Sequence, residues 1–259
     1  MEVVIGSGAE LGRLAADTIE QLLRAQPDAV LGLATGSSPL AVYDELARRH
    51  AEDGLSFARA RAFMLDEYVG LEPGHPERYR NVIDKEIASR VDFADGAVQG
   101  PDGLADDLVV ACRDYEEAIA AVGGVDLQLL GIGTDGHIAF NEPGSSLASR
   151  TRIKTLIEQT RRDNARFFGS LADVPHHVLT QGLGTILDAR HVILIATGAQ
   201  KAQAVRDLAE GPVAAVCAAS VLQLHPHATI LLDEAAASSL RLADYYRHSY
   251  DHKPAWQGL

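Results

Sequence analysis

Six short apolar runs recur along the chain, at residues 3–5, 29–34, 61–65, 125–130, 191–196 and 228–232, with amphipathic stretches between them. The runs are continuous rather than alternating, and rich in Val, Ile and Leu, which is the pattern of strands buried on both faces. The intervening stretches 9–25, 40–49, 77–89, 105–121, 164–168 and 200–208 carry apolar residues at helical spacing. Alternating elements of this kind constrain the chain to an α/β fold of Rossmann-like type, with right-handed crossovers laying helices on both faces of a mainly parallel sheet. A chain of 259 residues fits such a fold in one domain. No repeat or low-complexity linker divides it, so residues 1–259 read as one unit. The Gly/Asp-rich segment 93–103 reads as a surface loop. The tail after Arg241 is polar and aromatic (Tyr245, Tyr246, Tyr250, Trp256), suited to packing on the domain or against a partner subunit.

The formal net charge of −13 argues against nucleic acid and anionic membranes as partners. An anionic small substrate would need a local cationic pocket, because the global field repels it. The two cysteines, Cys112 and Cys217, stand in no CxxC or Cys/His array and read as buried thiols in a reducing compartment. The opening MEVVIGSGAELGRLAAD has no basic segment followed by an apolar one, and no run of about 18 apolar residues occurs, so neither a signal peptide nor a membrane span is expected. The expected location is the cytoplasm.

Three constellations carry chemistry. The segment 130–154, LGIGTDGHIAFNEPGSSLASRTRIK, follows a strand-like run and sets Asp135, His137 and Glu142 within eight positions among glycines. A histidine flanked by carboxylates at the C-terminal edge of a parallel sheet is equipped for proton transfer, the carboxylates fixing its tautomer and raising its basicity. The bland alternative is a polar surface loop. Few further ligands accompany the three, so no metal is expected. In LGLATGSSPLAVY, residues 31–43, Thr35, Gly36, Ser37 and Ser38 lie between a strand and a helix, with Ser38 expected as N-cap and Pro39 at the first helical position. Hydroxyls, free N–H groups and a positive helix end suit a phosphate, although the P-loop spacing is absent. In FMLDEYVGL, residues 63–71, Asp66 and Glu67 end a strand; one could act as a base in the sheet's crevice, or the pair could cap the next element. Arg150, Arg152, Lys154, Arg166 and Lys201 are candidate anion ligands in an otherwise acidic chain. The pair His225 and His227 has metal-like spacing but reads as a loop ahead of a strand. No GxSxG elbow supports acyl transfer.

Taken together, LGLATGSSP, LDEYVGL, GTDGHIAFNEPGSSLASRTR, ATGAQKA and LQLHPHA, in this order and spacing from about Leu31 to Asp233, resemble the isomerising glucosamine-6-phosphate deaminases. The resemblance implies conversion of D-glucosamine 6-phosphate and water to D-fructose 6-phosphate and ammonia, without a metal or organic cofactor. It implies Asp66 as the enolisation base, His137 as the ring-opening acid/base, and Asp135 and Glu142 as its supporting carboxylates. Thr35, Gly36, Ser37, Ser38, Arg166 and Lys201 match the phosphate-binding set. Ser37 stands where glycine is common, Thr134 where Asn is, and Leu65 where Met is. Longer members of the family are hexamers activated by N-acetylglucosamine 6-phosphate at a subunit interface. The matching effector residues are Ser145, Arg152, Lys154 and Thr155, with Tyr246 as the C-terminal tyrosine, so a homohexamer with an activator site is expected. Two rivals share the architecture: a 6-phosphogluconolactonase, which has no need of an enolising base, and a sugar-phosphate-sensing domain of a transcription regulator, which would need a DNA-binding extension not seen here.

Overall fold

The computed structural model describes residues 1–254 and 256–259. Along the chain, β1 (Glu2–Gly6) leads to α1 (Gly8–Ala25), β2 (Val30–Leu33) to α2 (Leu40–Asp53), and β3 (Arg61–Met64) to β4 (Asp66–Tyr68) and α3 (Tyr79–Glu86). Then come β5 (Val98–Gln99), α4 (Leu108–Ala121), β6 (Leu127–Leu130), β7 (Arg152–Thr155), α5 (Glu158–Asn164), β8 (His177–Thr180) and α6 (Leu183–Leu187). The last elements are β9 (His191–Ala196), α7 (Ala202–Glu210), β10 (Ala228–Asp233) and α8 (Ala243–Asp251).

Seven strands form a parallel sheet in the order β1-β10-β9-β6-β2-β3-β5. Each of the six apolar runs contributes a strand to it, and β2, β6 and β9 are buried along their whole length. This is the doubly wound architecture that the run pattern implies. From β2 the chain winds one way to β3 and β5, and the other way through β6, β9 and β10, so β2 and β6 flank the switch point. Loops leaving the C-terminal ends of strands diverge there and open a crevice. Gly32 permits that pairing, since a Cβ on it would lie 2.0 Å from the buried Gln128 side chain of β6.

A second sheet, antiparallel in the order β4-β8-β7, stands beside the first. The sequence reading had no place for it, because β4 has three residues and β7 alternates half-buried and exposed positions. Segment 93–103 is not all loop: Val98–Gln99 pairs with β3 as the edge strand. The helical stretch 164–168 is a 3-10 turn, Ala165–Phe167, on the end of α5. In the tail, Tyr246 and Tyr250 of α8 pack on the main core while Trp256 is exposed.

Candidate active site

Four strand ends, those of β2, β3, β6 and β9, deliver most of the site. At the end of β2, Ala34 is pinned by the buried Tyr43 of α2: its N–H donates to Tyr43 Oη at 3.1 Å, and that hydroxyl donates to the Ala34 carbonyl at 2.8 Å. Gly36 then turns the chain at φ +88°. Ser37 avoids the left-handed region, since Ala139 is the one non-glycine residue at positive φ among those described. The expected N-cap is not made: Pro39 occupies the cap position and no side chain bonds there. Ser38 stays with the cavity, its hydroxyl so near Gly131 that a Cβ there would lie 3.2 Å from Oγ.

Asp66 is placed by a strand that changes sheets. Leu65 ends the parallel run, its N–H donating to the Leu33 carbonyl and its carbonyl accepting from the Gln181 N–H. One residue later Asp66 pairs with Thr180 in the antiparallel sheet. The switch is held by Tyr115, whose hydroxyl donates to the Met64 carbonyl at 2.6 Å, and by the Gln181 amide on the same oxygen at 3.0 Å. Asp66 is 5% exposed and faces the cavity. Burial, reinforced by the Glu67 charge, pushes its carboxyl well above the ordinary range. Of the acidic pair, the second member is the cap that the sequence left as an alternative. Glu67 accepts backbone N–H bonds from Tyr68, Tyr79 and Arg80, each at 2.9 Å, and so closes the N-terminus of α3. Burial raises the Glu67 carboxyl, against the lowering effect of those bonds.

The loop after β6 carries His137. Its N–H donates to Asp135 Oδ1 at 3.2 Å, and its Nδ1 lies 2.7 Å from the same oxygen, close in distance but off the line of a good hydrogen bond. Burial would raise the Asp135 carboxyl, but the contact with His137 holds it below its usual range. Gly133 lies under the ring, where a Cβ would come within 2.3 Å of Cε1 and Nδ1. Two bonds from segment 214–219 fix the loop: the Ala219 N–H donates to the Gly136 carbonyl at 2.9 Å and the Gly144 N–H to the Ala215 carbonyl at 2.7 Å. Glu142 is 2% exposed, and neither carboxylate oxygen has a hydrogen-bond partner. Asp135, His137 and Glu142 each offer a ligand atom within 4.8 Å of the others.

These elements enclose a cavity of about 460 Å³. Thr35, Gly36, Ser37, Ser38, Asp66, His137, Arg166 and Lys201 all line it. Arg166 reaches it from the connection between β7 and β8, its guanidinium 4.7 Å from the Phe167 ring centroid. Lys201 follows β9; burial lowers its ammonium pKa, an effect that Asp163 opposes and Arg166 reinforces. Asp135 and Glu142 lie behind His137, off the cavity wall.

Sequence reasoning missed the aromatic wall. Tyr68 packs against Tyr79, Phe140 and Phe168, with centroids 4.8, 5.8 and 5.5 Å away, and its hydroxyl accepts from Asn164 Nδ2 at 2.9 Å. Burial pushes the Tyr68 hydroxyl up to about 12. Tyr68 stood in the quoted LDEYVGL segment as its signal; Asn164 and Phe168, remote in sequence, gave none.

The expected effector residues are gathered in part. Ser145 is buried with Oγ unpartnered, Arg152 has a buried and unpartnered Nη2, and Lys154 has Arg152 and Glu142 as charged neighbours. Arg152, Lys154 and Thr155 share β7, and none of the four lines the cavity. Tyr246 is not with them. It sits on α8, which packs along β1, and has Glu210 and Tyr245 as neighbours.

Fold and site define an α/β enzyme whose acid/base groups and cations share one crevice. The family model described as glucosamine-6-phosphate isomerases/6-phosphogluconolactonase matches residues 7–230, and the chain belongs to that family. It is 77% identical to a glucosamine-6-phosphate deaminase of Arthrobacter sp. (strain FB24) and 68% identical to one of Mycolicibacterium smegmatis, with both chains of each pair covered in full. Among solved structures, a monomeric glucosamine-6-phosphate deaminase superposes with TM-score 0.90 at 43% identity, covering 92% of this chain and 100% of that one. A 6-phosphogluconolactonase from Trypanosoma brucei, at 22% identity and TM-score 0.75 over 92% of this chain and 98% of that one, shares the fold.

Proposed function

We propose that this chain converts D-glucosamine 6-phosphate and water to D-fructose 6-phosphate and ammonia by aldose–ketose isomerisation coupled to deamination, in amino-sugar breakdown. The observation that carries this is the placing of a desolvated carboxyl, Asp66, with His137 and two cations, Arg166 and Lys201, around one cavity. Thr35, Gly36, Ser37, Ser38, Arg166 and Lys201 hold the phosphate. His137, steadied by Asp135 and Glu142, takes the anomeric hydroxyl proton and gives one to the ring oxygen, opening the pyranose. Asp66 removes the C2 proton to form an enolamine and returns a proton to C1, leaving an iminium at C2. Water adds there and ammonia departs. Each step is a proton transfer or addition that these side chains can serve without a cofactor. Residues 1–259 act as one catalytic domain, in keeping with a core cluster that runs from Val3 to Ala237. Among the described residues no helix is long and apolar enough to cross a membrane, and we place the enzyme in the cytoplasm. Ammonia and fructose 6-phosphate formed from glucosamine 6-phosphate, with 6-phosphogluconolactone left unhydrolysed, is the expected outcome. Lactone hydrolysis without ammonia would overturn it.

We further propose that Ser145, Arg152, Lys154 and Thr155 bind N-acetylglucosamine 6-phosphate as an activator, with Tyr246 supplied by a neighbouring copy in a homohexamer. The buried, unpartnered Ser145 Oγ and Arg152 Nη2 support an anion site there. The solved relative described as monomeric favours a monomer as the second reading. Sedimentation decides the assembly. Lys154→Ala is expected to abolish activation and spare basal turnover; an unchanged activation curve would move the effector elsewhere.

A further inference from the structure

Glu142 is buried with neither carboxylate oxygen hydrogen-bonded. A buried carboxylate without a single donor demands a cation, a proton or water. Beside it lie His137, whose Nδ1 is also buried, and the second carboxylate, Asp135. The nearest ammonium, Lys154, has Arg152 as a competing cation beside it. Two carboxylates and an imidazole thus converge with ligand atoms within 4.8 Å of one another. Among the described residues they are the one group of three or more His, Cys, Asp or Glu side chains so placed.

From this convergence we propose that Asp135, His137 and Glu142 form an inhibitory binding site for a divalent first-row transition cation of the zinc type. Imidazole with carboxylates is a donor set of that class rather than of calcium or magnesium. A tetrahedral zinc centre has ligand atoms about 3.3 Å apart, so Asp135 Oδ1 and His137 Nδ1, 2.7 Å apart, open slightly while Glu142 closes in. Glu142, held by no hydrogen bond of its own, is the group free to move. The remaining positions on the ion are taken by water. Coordination through Nδ1 uses that nitrogen's lone pair. The imidazole then keeps its proton on Nε2, which has no lone pair left to take the proton of the anomeric hydroxyl. The ion binds behind the ring, outside the sugar cavity, and stops the reaction by removing the base. The binding half of this proposal stands apart from the proposed reaction; the inhibitory half rests on the ring-opening role of His137.

The test is calorimetric titration of chelator-stripped enzyme with Zn²⁺ alone. A second candidate ligand pair must be controlled: His248 of α8 and His252, which caps the end of that helix, with ring centroids 4.1 Å apart. One equivalent is expected to bind both wild type and the His248→Ala/His252→Ala double variant. Affinity is expected to fall by more than about tenfold in Glu142→Gln and separately in Asp135→Asn. Unchanged affinity in both carboxylate variants, loss in the histidine double variant, or no binding at submillimolar Zn²⁺ would each overturn the site. In the assay, zinc-loaded enzyme is expected to release ammonia more slowly and to recover on adding EDTA. Undiminished ammonia release with zinc bound at the site would overturn the inhibition, and with it the His137 role, while leaving the site in place.

Discussion

At the scale of single residues, the site depends on groups whose surroundings are set by one neighbour each. Asp66 owes its raised pKa to burial and to Glu67. As the proposed base, Asp66 must be ionised to work, so activity is expected to fall as pH drops through that raised value, with the acidic limb of kcat/KM above the usual carboxylate range. Removing the Glu67 charge is expected to move that limb to lower pH; a limb that stays in place in Glu67→Gln would separate it from Asp66. His137 depends on Gly133 in the same way. Gly133→Ala drives a methyl into the imidazole, and misplacement by about 1 Å can cost up to roughly 10²-fold in kcat. The expected result is a fall in kcat with KM nearly unchanged, because phosphate contacts lie elsewhere. Equal loss in both constants would show that the loop had collapsed. Asp66, His137 and Lys201 were legible in the sequence because each stands beside a strand end or glycine turn; Arg166, on a 3-10 turn after α5, has no such signal. Ser38 as a helix cap was misread, because capping depends on how the chain enters α2, which is not a local property.

Elements bring those residues together. Strands of the parallel sheet were readable because they are buried on both faces and leave unbroken apolar runs. The antiparallel sheet was not, since β4 is cut from the run that makes β3, and β7 and β8 take their pairing from each other. Yet this sheet aims Asp66, carries three of the candidate effector residues, Arg152, Lys154 and Thr155, and supports the connection bearing Arg166. Its seam with the catalytic loop is tight: the Phe140 N–H donates to the Thr180 hydroxyl at 3.1 Å, and a Cβ on Gly182 would lie 2.0 Å from the Ser149 carbonyl oxygen. Helix α3 joins the site through Glu67, which satisfies donors at the helix N-terminus. The Glu67→Gln exchange weakens that cap and is expected to cost about 1–2 kcal/mol in urea unfolding. Loss of α3 order should also raise KM, because Tyr79 lines the cavity. A variant of wild-type stability would mean that α3 is held by packing alone.

Across the whole molecule, acidity and catalysis are kept apart. The chain carries a net charge of −13 while its crevice gathers Arg166 and Lys201, so the proposed anion site is local rather than a property of the global field. A buried histidine at the opposite end of the sheet is expected to limit acid tolerance. His191 stacks on His227 with centroids 3.6 Å apart, and its Nε2 lies 2.9 Å from Thr229 Oγ1. Burial, with His227 and His225 beside it, lowers its pKa to about 3. The unfolded chain takes up that proton near pH 6.5 and the folded chain does not, so stability is lost as pH falls from about 6.5 towards 3. His191→Gln is expected to flatten the decline in Tm between pH 7 and pH 4; an equally steep decline would place the acid-sensitive group elsewhere. The claim on which the rest hangs is that Asp66 makes this crevice a catalyst rather than a sugar-phosphate receptor. Its most direct test measures ammonia release and sugar-phosphate binding in the same preparations of wild type and Asp66→Asn, with EDTA present. Wild type should release ammonia, and the variant should bind glucosamine 6-phosphate with near wild-type affinity and release none. Ammonia at the wild-type rate from Asp66→Asn would contradict the account.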